Sequence, residues 1–574
     1  MKTFTQGNDA TLDGSIALFQ AKLRQLGLNI EEASWFNPVP NVWSVCVRDV
    51  DAPMNIVNGS DTTKEAALAS ALGEYFKCLS MNDFYTNYYL GEEIANSEFV
   101  HYPNEKWFPL DLEDNLPPEG ILDEYLIQFY DPTLELLGTD LIDLQSSNME
   151  RGVCTLPFER QRGKETVYIP VNIIGNLYAS NGTSVGNTKA EARTHGLSGI
   201  IEQAIKKRIL TERISLPEIP ASVIERFPTI KESLNALEAE GFPVSCYDAS
   251  LGGKYPVICI TLLNPESRTH FAAFGAHPQF EQALERAVVA LLPKSTVDNE
   301  GVSEQPDLKT HFTDASGLMT WEQFQADANY DFVDWNFNGN AEERFNHLMN
   351  IFTAERADVY IADYSHLGVA SCRIIVPGWS EVYPIEMLIE ANNNVAMELR
   401  ETFLALPNVD WEAEQYAEMY SILEEEGFDD SCLLHEIIGL APQVGSAWET
   451  LRIGELKCLL ALAGGDLELA LEFASQCTDS NTANYSPERT HFFHCLVASL
   501  NLALDEERDP LLLKAEFESK YGNDIVTAAW GSIEGTVRFH GLNAGDLGMK
   551  QFPTHQKLLA SYHKLQAAKK AQIV

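Results

Sequence analysis

Two hydrophobic rhythms alternate along the first part of the chain. IALFQAKLRQLGLNI, 16–30, spaces its apolar residues as a helix does, and NVWSVCVRDV, 41–50, alternates as a half-buried strand. A helix beginning in the Gly-led stretch 59–80 comes next. An irregular stretch rich in aromatics and proline then runs from Phe84 to Pro132. TDLIDLQS and TVYIPVNIIGNLY read as strands that deliver the chain to a second Gly-led helix within 182–208. SLPEIPASVIERFP is a proline-bracketed connector leading to a helix through Leu237. PVSCYDAS and YPVICITLL predict consecutive strands around a turn at Gly252-Gly253, and FAAFGAHPQFEQALERAVVALL predicts a strand, a turn and a third helix bearing Arg286. The polar stretch Lys294 to Asp307 reads as an exposed loop, and ADVYIADY and SCRIIVPG as two more strands, with Asp363 and Arg373 near their ends.

Strand and helix mixed in this way predict an α+β domain over 1–405. From about Leu406 strands give way to amphipathic helices, so 406–574 is expected to be all-helical. LRIGELKCLLALAGGDLELALEFASQC there reads as a helical hairpin of the tetratricopeptide type turning at Gly464-Gly465-Asp466. One such hairpin falls short of the three repeats that a free-standing solenoid needs, so this part is expected to pack on the domain before it.

The two Gly-led helices resemble one another. Thr62-x-x-Glu65 and Thr188-x-x-Glu191 have capping-box spacing, and TKEAALASALGEYFK aligns with TKAEARTHGLSGIIE without a gap when Thr63 is set against Thr188. At 3.6 residues per turn, Glu191, His195, Ser198 and Glu202 fall within roughly 60° of one face. Ser70, Glu74 and Lys77 do the same on the earlier helix. Leu68, Leu72, Phe76 and Leu79, and on the second helix Leu197, Ile200 and Ala204, form the opposite, apolar stripes. Two polar lines facing one another, each led in by small residues, suit a phosphate ester and its metal ions. The plainer alternative has Glu191 capping its own helix, Glu202 pairing with Lys206, and the glycines making a turn.

Composition narrows the classes. The chain has 574 residues and a net charge of −44. That acidity disfavours nucleic-acid binding, and suits either solubility alone or a basic protein partner. No apolar run reaches membrane-helix length, and MKTFTQGNDATLDG lacks a signal-peptide core, so a cytoplasmic protein is expected. The ten cysteines are scattered without Cys-x-x-Cys spacing, which argues against a zinc or iron–sulfur motif and suits reduced, mostly buried thiols. Gly182-Thr-Ser184-Val-Gly186 matches a nucleophile elbow, but the preceding apolar run ends near Tyr178 and leaves Ser184 in a loop. His435-Glu436 fails as a zincin because Gly439 stands where the second histidine belongs, and no P-loop occurs.

ALASALGEYF, YIPVNIIGNLYASNG, SLPEIPA, DASLGGKYPVIC, FGAHP, DFVDWNF, VYIADYSHLGV, RIIVPG, EEGFDD, LRIGELK and LALAGGDLE together resemble the YcaO family over nearly the whole chain. The resemblance is closest to the enterobacterial type, an accessory factor for methylthiolation of small-subunit ribosomal protein twelve. It implies an ATP and Mg²⁺ site without a P-loop, and partners in that ribosomal protein or a radical-SAM methylthiotransferase. It also implies a homodimer, and ATP hydrolysis or phosphorylation of a peptide amide oxygen. By resemblance, Ser15, Ser70, Ser184, Asn187 and Arg286 line the nucleotide and Glu74, Glu191 and Glu202 face the metals.

This chain departs from the family pattern. Where the first helix usually reads Ser-x-x-x-Glu-x-x-Glu-Arg, it has Ser70, Glu74, Lys77 and Cys78. Where the second reads Glu-x-x-Glu-Arg, it has Gly199, Glu202 and Gln203. The lead-in Gly-Lys-Gly is Gly59-Ser60-Asp61, and Asn8 stands for a nucleotide-contacting lysine. AAKKAQIV lacks the Pro-x-Pro-x-Pro tail of the heterocycle-forming members, which disfavours that chemistry. Lys77 is expected to neutralise a neighbouring glutamate; the alternatives are direct contact with phosphate, or solvent. Two functional readings stay open: an ATP-linked accessory factor, and a scaffold acting through its helical C-terminal part without ATP turnover.

Overall fold

The computed structural model describes residues 11–266, 269–297, 303–304, 308–312, 318–319, 327–480, 485–505 and 510–571. Helix α1 (Leu12–Gln25) is capped by Thr11, whose Oγ1 accepts the Gly14 N–H, and buries Ser15, Phe19 and Leu23 along one stripe. Strands β1 (Ile30–Val39), β2 (Val42–Asp49) and β3 (Ile56–Asp61) form a first sheet in that order, and α2 (Lys64–Met81) packs on it. A second sheet begins with β4 (Lys106–Phe108), β5 (Val153–Arg160), β6 (Thr166–Pro170) and β7 (Thr183–Gly186), after which comes α3 (Lys189–Glu212). The third sheet holds β8 (Val244–Asp248), β9 (Val257–Asn264) and β10 (Thr269–Ala276), with Leu318–Met319 pairing on the β10 edge, and α4 (Phe280–Leu291) packs on it. Helix α5 (Ala341–Ala354) leads into β11 (Tyr360–Tyr364) and β12 (Ala370–Ile375), which complete the second sheet in the order β4-β5-β11-β12-β7, with β6 also on β5. The ladders are antiparallel throughout. The expected α+β class is the architecture found.

One local device recurs three times. A glycine on a strand lies directly against the backbone of the helix that follows. A Cβ on Gly59 of β3 would stand 2.1 Å from the Ala71 nitrogen and 2.5 Å from the Ala67 carbonyl oxygen of α2. On Gly186 of β7 it would meet the Ala192 nitrogen of α3 at 2.6 Å, and on Gly275 of β10 the Ala283 carbonyl oxygen of α4 at 2.2 Å. Glycine on the strand and alanine on the helix are what allow this approach. It brings the strand ends (Asp61, Asn187 and His277) close to the starts of the three helices.

Helices follow in the C-terminal part, among them α6 (Ala413–Glu426), α7 (Ile453–Gly464), α8 (Leu467–Ser480), α9 (Pro487–Ala503), α10 (Asn523–Ile533) and α11 (Pro553–Ala571). The α7–α8 hairpin turns where the sequence places it, with Gly465 in the left-handed region at φ 80°. These helices pack on the preceding domain, as expected: one continuous core joins Phe19, Leu72 and Phe76 to Trp448, Leu456 and Tyr562. From α11, the His555 Nε2 donates to the Tyr89 carbonyl at 2.8 Å while its Nδ1 accepts the Ala441 N–H at 3.0 Å. Lys569, fully buried, donates to Asn82 Oδ1 at 2.5 Å and the His101 carbonyl at 2.8 Å, with its ammonium 4.2 Å from the Tyr102 ring centroid. Asn82 is the left-handed C-cap of α2, so the last helix braces the end of the first Gly-led one.

Several expectations require correction. The glycine lead-ins are strands, not loops: Gly59–Asp61 ends β3, and Ser184 sits inside β7. The first cap is Thr63 rather than Thr62, its side chain accepting the Ala66 N–H at 3.1 Å. TDLIDLQS is a 3-10 turn at Thr139–Leu141 followed by loop. There Asp140 and Asp143 accept the N–H groups of Leu137 and Ser146, which diverts this backbone from a ladder. TVYIPVNIIGNLY is a strand only to Pro170. A helical turn and a π-turn over Ile174–Tyr178 follow, tied by Asn176 Nδ2 to the Asn172 carbonyl at 3.0 Å. An apolar run buried on all sides carries no period by which to tell the two apart. Within Lys294–Asp307, Ser295 is buried and donates its N–H to Ser44 Oγ at 3.0 Å, and Thr296–Val297 pairs with Ser303–Glu304, so the described part is not an exposed loop; 298–302 and 305–307 lie outside the described residues, as do Asn8 and 572–574.

Candidate functional site

The polar residues of the Gly-led helices fall into three groups. The first links α1 to the start of α3. Ser15 donates its hydroxyl to Asn187 Oδ1 at 2.8 Å, and the Glu191 carboxylate accepts both the backbone N–H of Asn187 at 2.9 Å and its Nδ2 at 3.0 Å. Thr188 accepts the Glu191 N–H at 3.3 Å. Glu191 therefore does serve its own helix start, the plainer of the two expectations, while Ser15 and Asn187 meet at one point.

The second group surrounds the turn Ala276–Gln279 between β10 and α4. Arg286 donates to the Ala276 carbonyl at 3.0 Å, and Glu202 accepts the Ala276 N–H at 3.1 Å. Arg344 of α5 donates to Gln279 Oε1 at 2.8 Å, and His277 Nδ1 accepts the Gln279 N–H at 3.1 Å. Burial pulls Arg286 below the usual guanidinium value, against the opposing carboxylates of Glu202, Asp61 and Glu285. Burial, then Arg286, lowers His195 to about 3, and the same causes take His277 well below its ordinary value, so both rings are neutral. Burial pushes Glu202 up to about 7 despite Arg286, and Glu285 up to about 7 with help from Asp61. Asp61 is likewise raised by burial, against its bonds from Thr62 and the charge of Arg286.

This raised value sets a pH dependence. Glu202 holds its proton to about pH 7 in the fold and to its ordinary 4.5 when unfolded. The folded chain thus binds the extra proton, and stability falls as pH rises through that window. Glu202→Gln, which keeps an acceptor for Ala276, is expected to be more stable than the parent at pH 8 and equal to it near pH 4. Denaturant unfolding at both values checks this; a difference that does not change with pH refutes it.

The third group lies toward the end of α2. Lys77 Nζ is 2.5 Å from Glu74 Oε1, the neutralising arrangement expected of it. Burial presses Lys77 toward neutrality, but Glu74, Cys78 and Asp83 outweigh it and hold its pKa above the ordinary value. Asp83 in turn meets Arg373 at 3.3 Å, and Arg373 donates to the Ala179 carbonyl at 2.7 Å. On the second sheet, Arg193 clamps Asp363 with bonds of 3.1 and 2.6 Å.

The one-faced line expected on α3 is thus divided. Glu191 and Ser198 bond within their own helix region, Ser198 to the Thr194 carbonyl at 2.8 Å, whereas His195 and Glu202 share the electrostatic neighbourhood of Arg286. Ser184 turns its hydroxyl to the Ala192 carbonyl and packs 3.4 Å from Cys372 Sγ, so it is neither an elbow nucleophile nor aimed at a ligand. Ser70 is exposed. Gly199 and Gln203 line a cavity of about 810 Å³ together with Lys207, Trp379 and Glu381. A Cβ on Gly199 would have nothing within 4 Å.

Mg²⁺ wants several oxygen ligands, usually carboxylates and waters together with substrate phosphates. Here each candidate carboxylate has a protein partner: Lys77 for Glu74, Asn187 for Glu191, and the Ala276 N–H for Glu202. The arrangement as it stands does not fit a pair of metal-binding carboxylates. The guanidinium side, Arg286 and Arg344 beside two neutral imidazoles, suits an anion better. Sequence reasoning missed Arg344 and Glu285: Glu342-Glu343-Arg344 reads as a solvated helix face, and Glu285 sits beside the residue singled out. Only His277, within the quoted FGAHP, carried a signal.

These elements define an α+β protein in which Arg286 and Arg344 meet at a strand–helix turn, without a P-loop. Residues 58–380 match the family model described as "YcaO cyclodehydratase, ATP- and Mg2+-binding", and 396–571 the YcaO cyclodehydratase C-terminal domain. The chain belongs to the YcaO family. It is 54% identical, over 99% of both chains, to the ribosomal protein S12 methylthiotransferase accessory factor YcaO of Escherichia coli. It is 50% identical, again over 99% of each chain, to an uncharacterized protein of Haemophilus influenzae. Among solved structures, YcaO from Methanopyrus kandleri bound with AMPPCP and Mg2+ aligns over 68% of this chain and 96% of its own, with 16% identity and a TM-score of 0.41, a likeness too loose to assign residue roles. Among the described residues, no helix is long and apolar enough to cross a membrane.

Proposed function

We propose that this protein is a cytoplasmic accessory factor in methylthiolation of ribosomal protein S12, acting beside the methylthiotransferase as a homodimer. The observation that carries the reading is 54% identity over 99% of both chains to the Escherichia coli factor of that description. Residues 1–405 form its YcaO domain and 406–574 a helical, tetratricopeptide-like part suited to protein contacts. Its nucleotide site is a reduced one. Ser15, Asn187 and Arg286 remain on the nucleotide side, while Lys77, Gly199 and Gln203 stand at metal-side positions, and the Lys77–Glu74 pair of 2.5 Å supports that reading. Deleting the gene is expected to lower S12 methylthiolation, read by mass spectrometry of ribosomal proteins, and this chain is expected to restore it. Unchanged modification in the deletion strain refutes the proposal.

The carboxylates that oppose Arg286, Glu202 first and then Asp61 and Glu285, favour a second reading, a scaffold without ATP turnover, because internal carboxylates take the counter-charge role that a phosphate would have. Phosphate release by the purified chain separates the two. Release that depends on Arg286 and exceeds the Arg286→Gln background eliminates the scaffold.

A further inference from the structure

The long stretch between α2 and β5 holds little regular structure: short turns, the helices Glu92–Ala95 and Glu124–Tyr130, and the three-residue β4. Inside it three side chains of metal-ligand type converge. His101 lies before β4, Asp143 follows the 3-10 turn at 139–141, and Cys154 is in β5; they are 2%, 1% and 0% exposed. One ligand atom from each lies within 4.8 Å of the other two, and His101 Nε2 is 3.1 Å from Asp143 Oδ1. A tetrahedral ion with bonds of about 2.0–2.3 Å holds its ligand atoms roughly 3.3–3.8 Å apart, so small shifts bring this set onto one ion.

We infer that His101, Asp143 and Cys154 form a structural site for a borderline divalent cation, Zn²⁺ in the first place, independent of the nucleotide site. The donors are one imidazole nitrogen, one carboxylate oxygen and one sulfur, which suits Zn²⁺ and disfavours Mg²⁺ or Ca²⁺. Charge closes as well: one thiolate and one carboxylate balance the ion, leaving a neutral centre where an uncompensated charge would be costly. On binding, Cys154 releases its thiol proton to solvent, and His101 moves its proton to Nδ1 so that the Nε2 lone pair faces the metal. The ligands are held from behind. Asp143 accepts the Ser146 N–H at 2.8 Å and its hydroxyl at 2.7 Å, and Glu105 accepts the backbone N–H of His101 at 2.7 Å. Such an ion would tie the loop bearing Asp143 to His101 and to β5.

The test uses the full chain, purified without chelator and free of any affinity tag. Elemental analysis is expected to find about one zinc per chain, and chelation to lower the melting temperature reversibly. Chain unfolded with chelator and refolded with Co²⁺ is expected to show a thiolate-to-cobalt charge-transfer band. Cys154→Ser should abolish that band and weaken Zn²⁺ binding more than roughly 100-fold, beyond the effect of an outer-shell change. The wild-type cobalt spectrum is decisive even where the variant folds poorly. No retained zinc together with no melting shift on refolding with excess Zn²⁺ overturns the inference and leaves a buried His–Asp hydrogen bond. A bound metal without sulfur charge transfer, or one indifferent to Cys154→Ser, overturns it too.

Discussion

Restoring Lys77→Glu, Gly199→Glu and Gln203→Arg together is expected to give this protein Mg²⁺-dependent ATP binding in the micromolar range, about −8 kcal/mol, that chelator abolishes. A side chain at 199 has room, since a Cβ there meets nothing within 4 Å. The triple change frees Glu74 from its ammonium partner and adds two carboxylates on the metal side. Lys77→Glu alone is expected to bind no better and to be less stable by about 2 kcal/mol, because a new carboxylate would crowd Glu74 and the half-buried Asp83. Titration calorimetry of ATP with Mg²⁺ settles it. No heat from a folded triple variant means that Glu74 and Glu202 do not flank a nucleotide site and that the site assignment is wrong.

Gly59→Ala is expected to cost about 3 kcal/mol or more. Its Cβ would fall 2.1 Å from the Ala71 nitrogen and 2.4 Å from the Ala71 Cα, and both are helix backbone that no rotamer change can move. Gly199→Ala is the matched control: an open helical position where alanine should add up to about 1 kcal/mol. Chemical denaturation of the two variants reads both effects. If Gly59→Ala unfolds within about 1 kcal/mol of the parent, the strand–helix approach is not the constraint described above.

The sequence alone determined the α+β class, the antiparallel β8–β9 pair, the helices after the three glycines, and the α7–α8 hairpin. Each rests on local physics: period, small-residue turns and caps, which act within a few residues of themselves. It also determined that Lys77 stands where a carboxylate is expected, three residues from Glu74, which is why their pairing was legible as a contact between neighbours on one helix face. Tertiary structure decided the rest. Nothing local says that Gly59, Gly186 and Gly275 lie under helix backbones, which turns apparent loops into strands. Nothing local says that Arg344, 58 positions after Arg286, joins it at one turn, or that Glu202 bonds to Ala276 rather than to Lys206. His101, Asp143 and Cys154 carry no motif spacing, because their convergence is made by the packing of an irregular segment against β5. Burial then tunes the groups so assembled, holding protons on carboxylates and keeping them off imidazoles. A charge's environment belongs to the packed fold, and residue order by itself contains none of it.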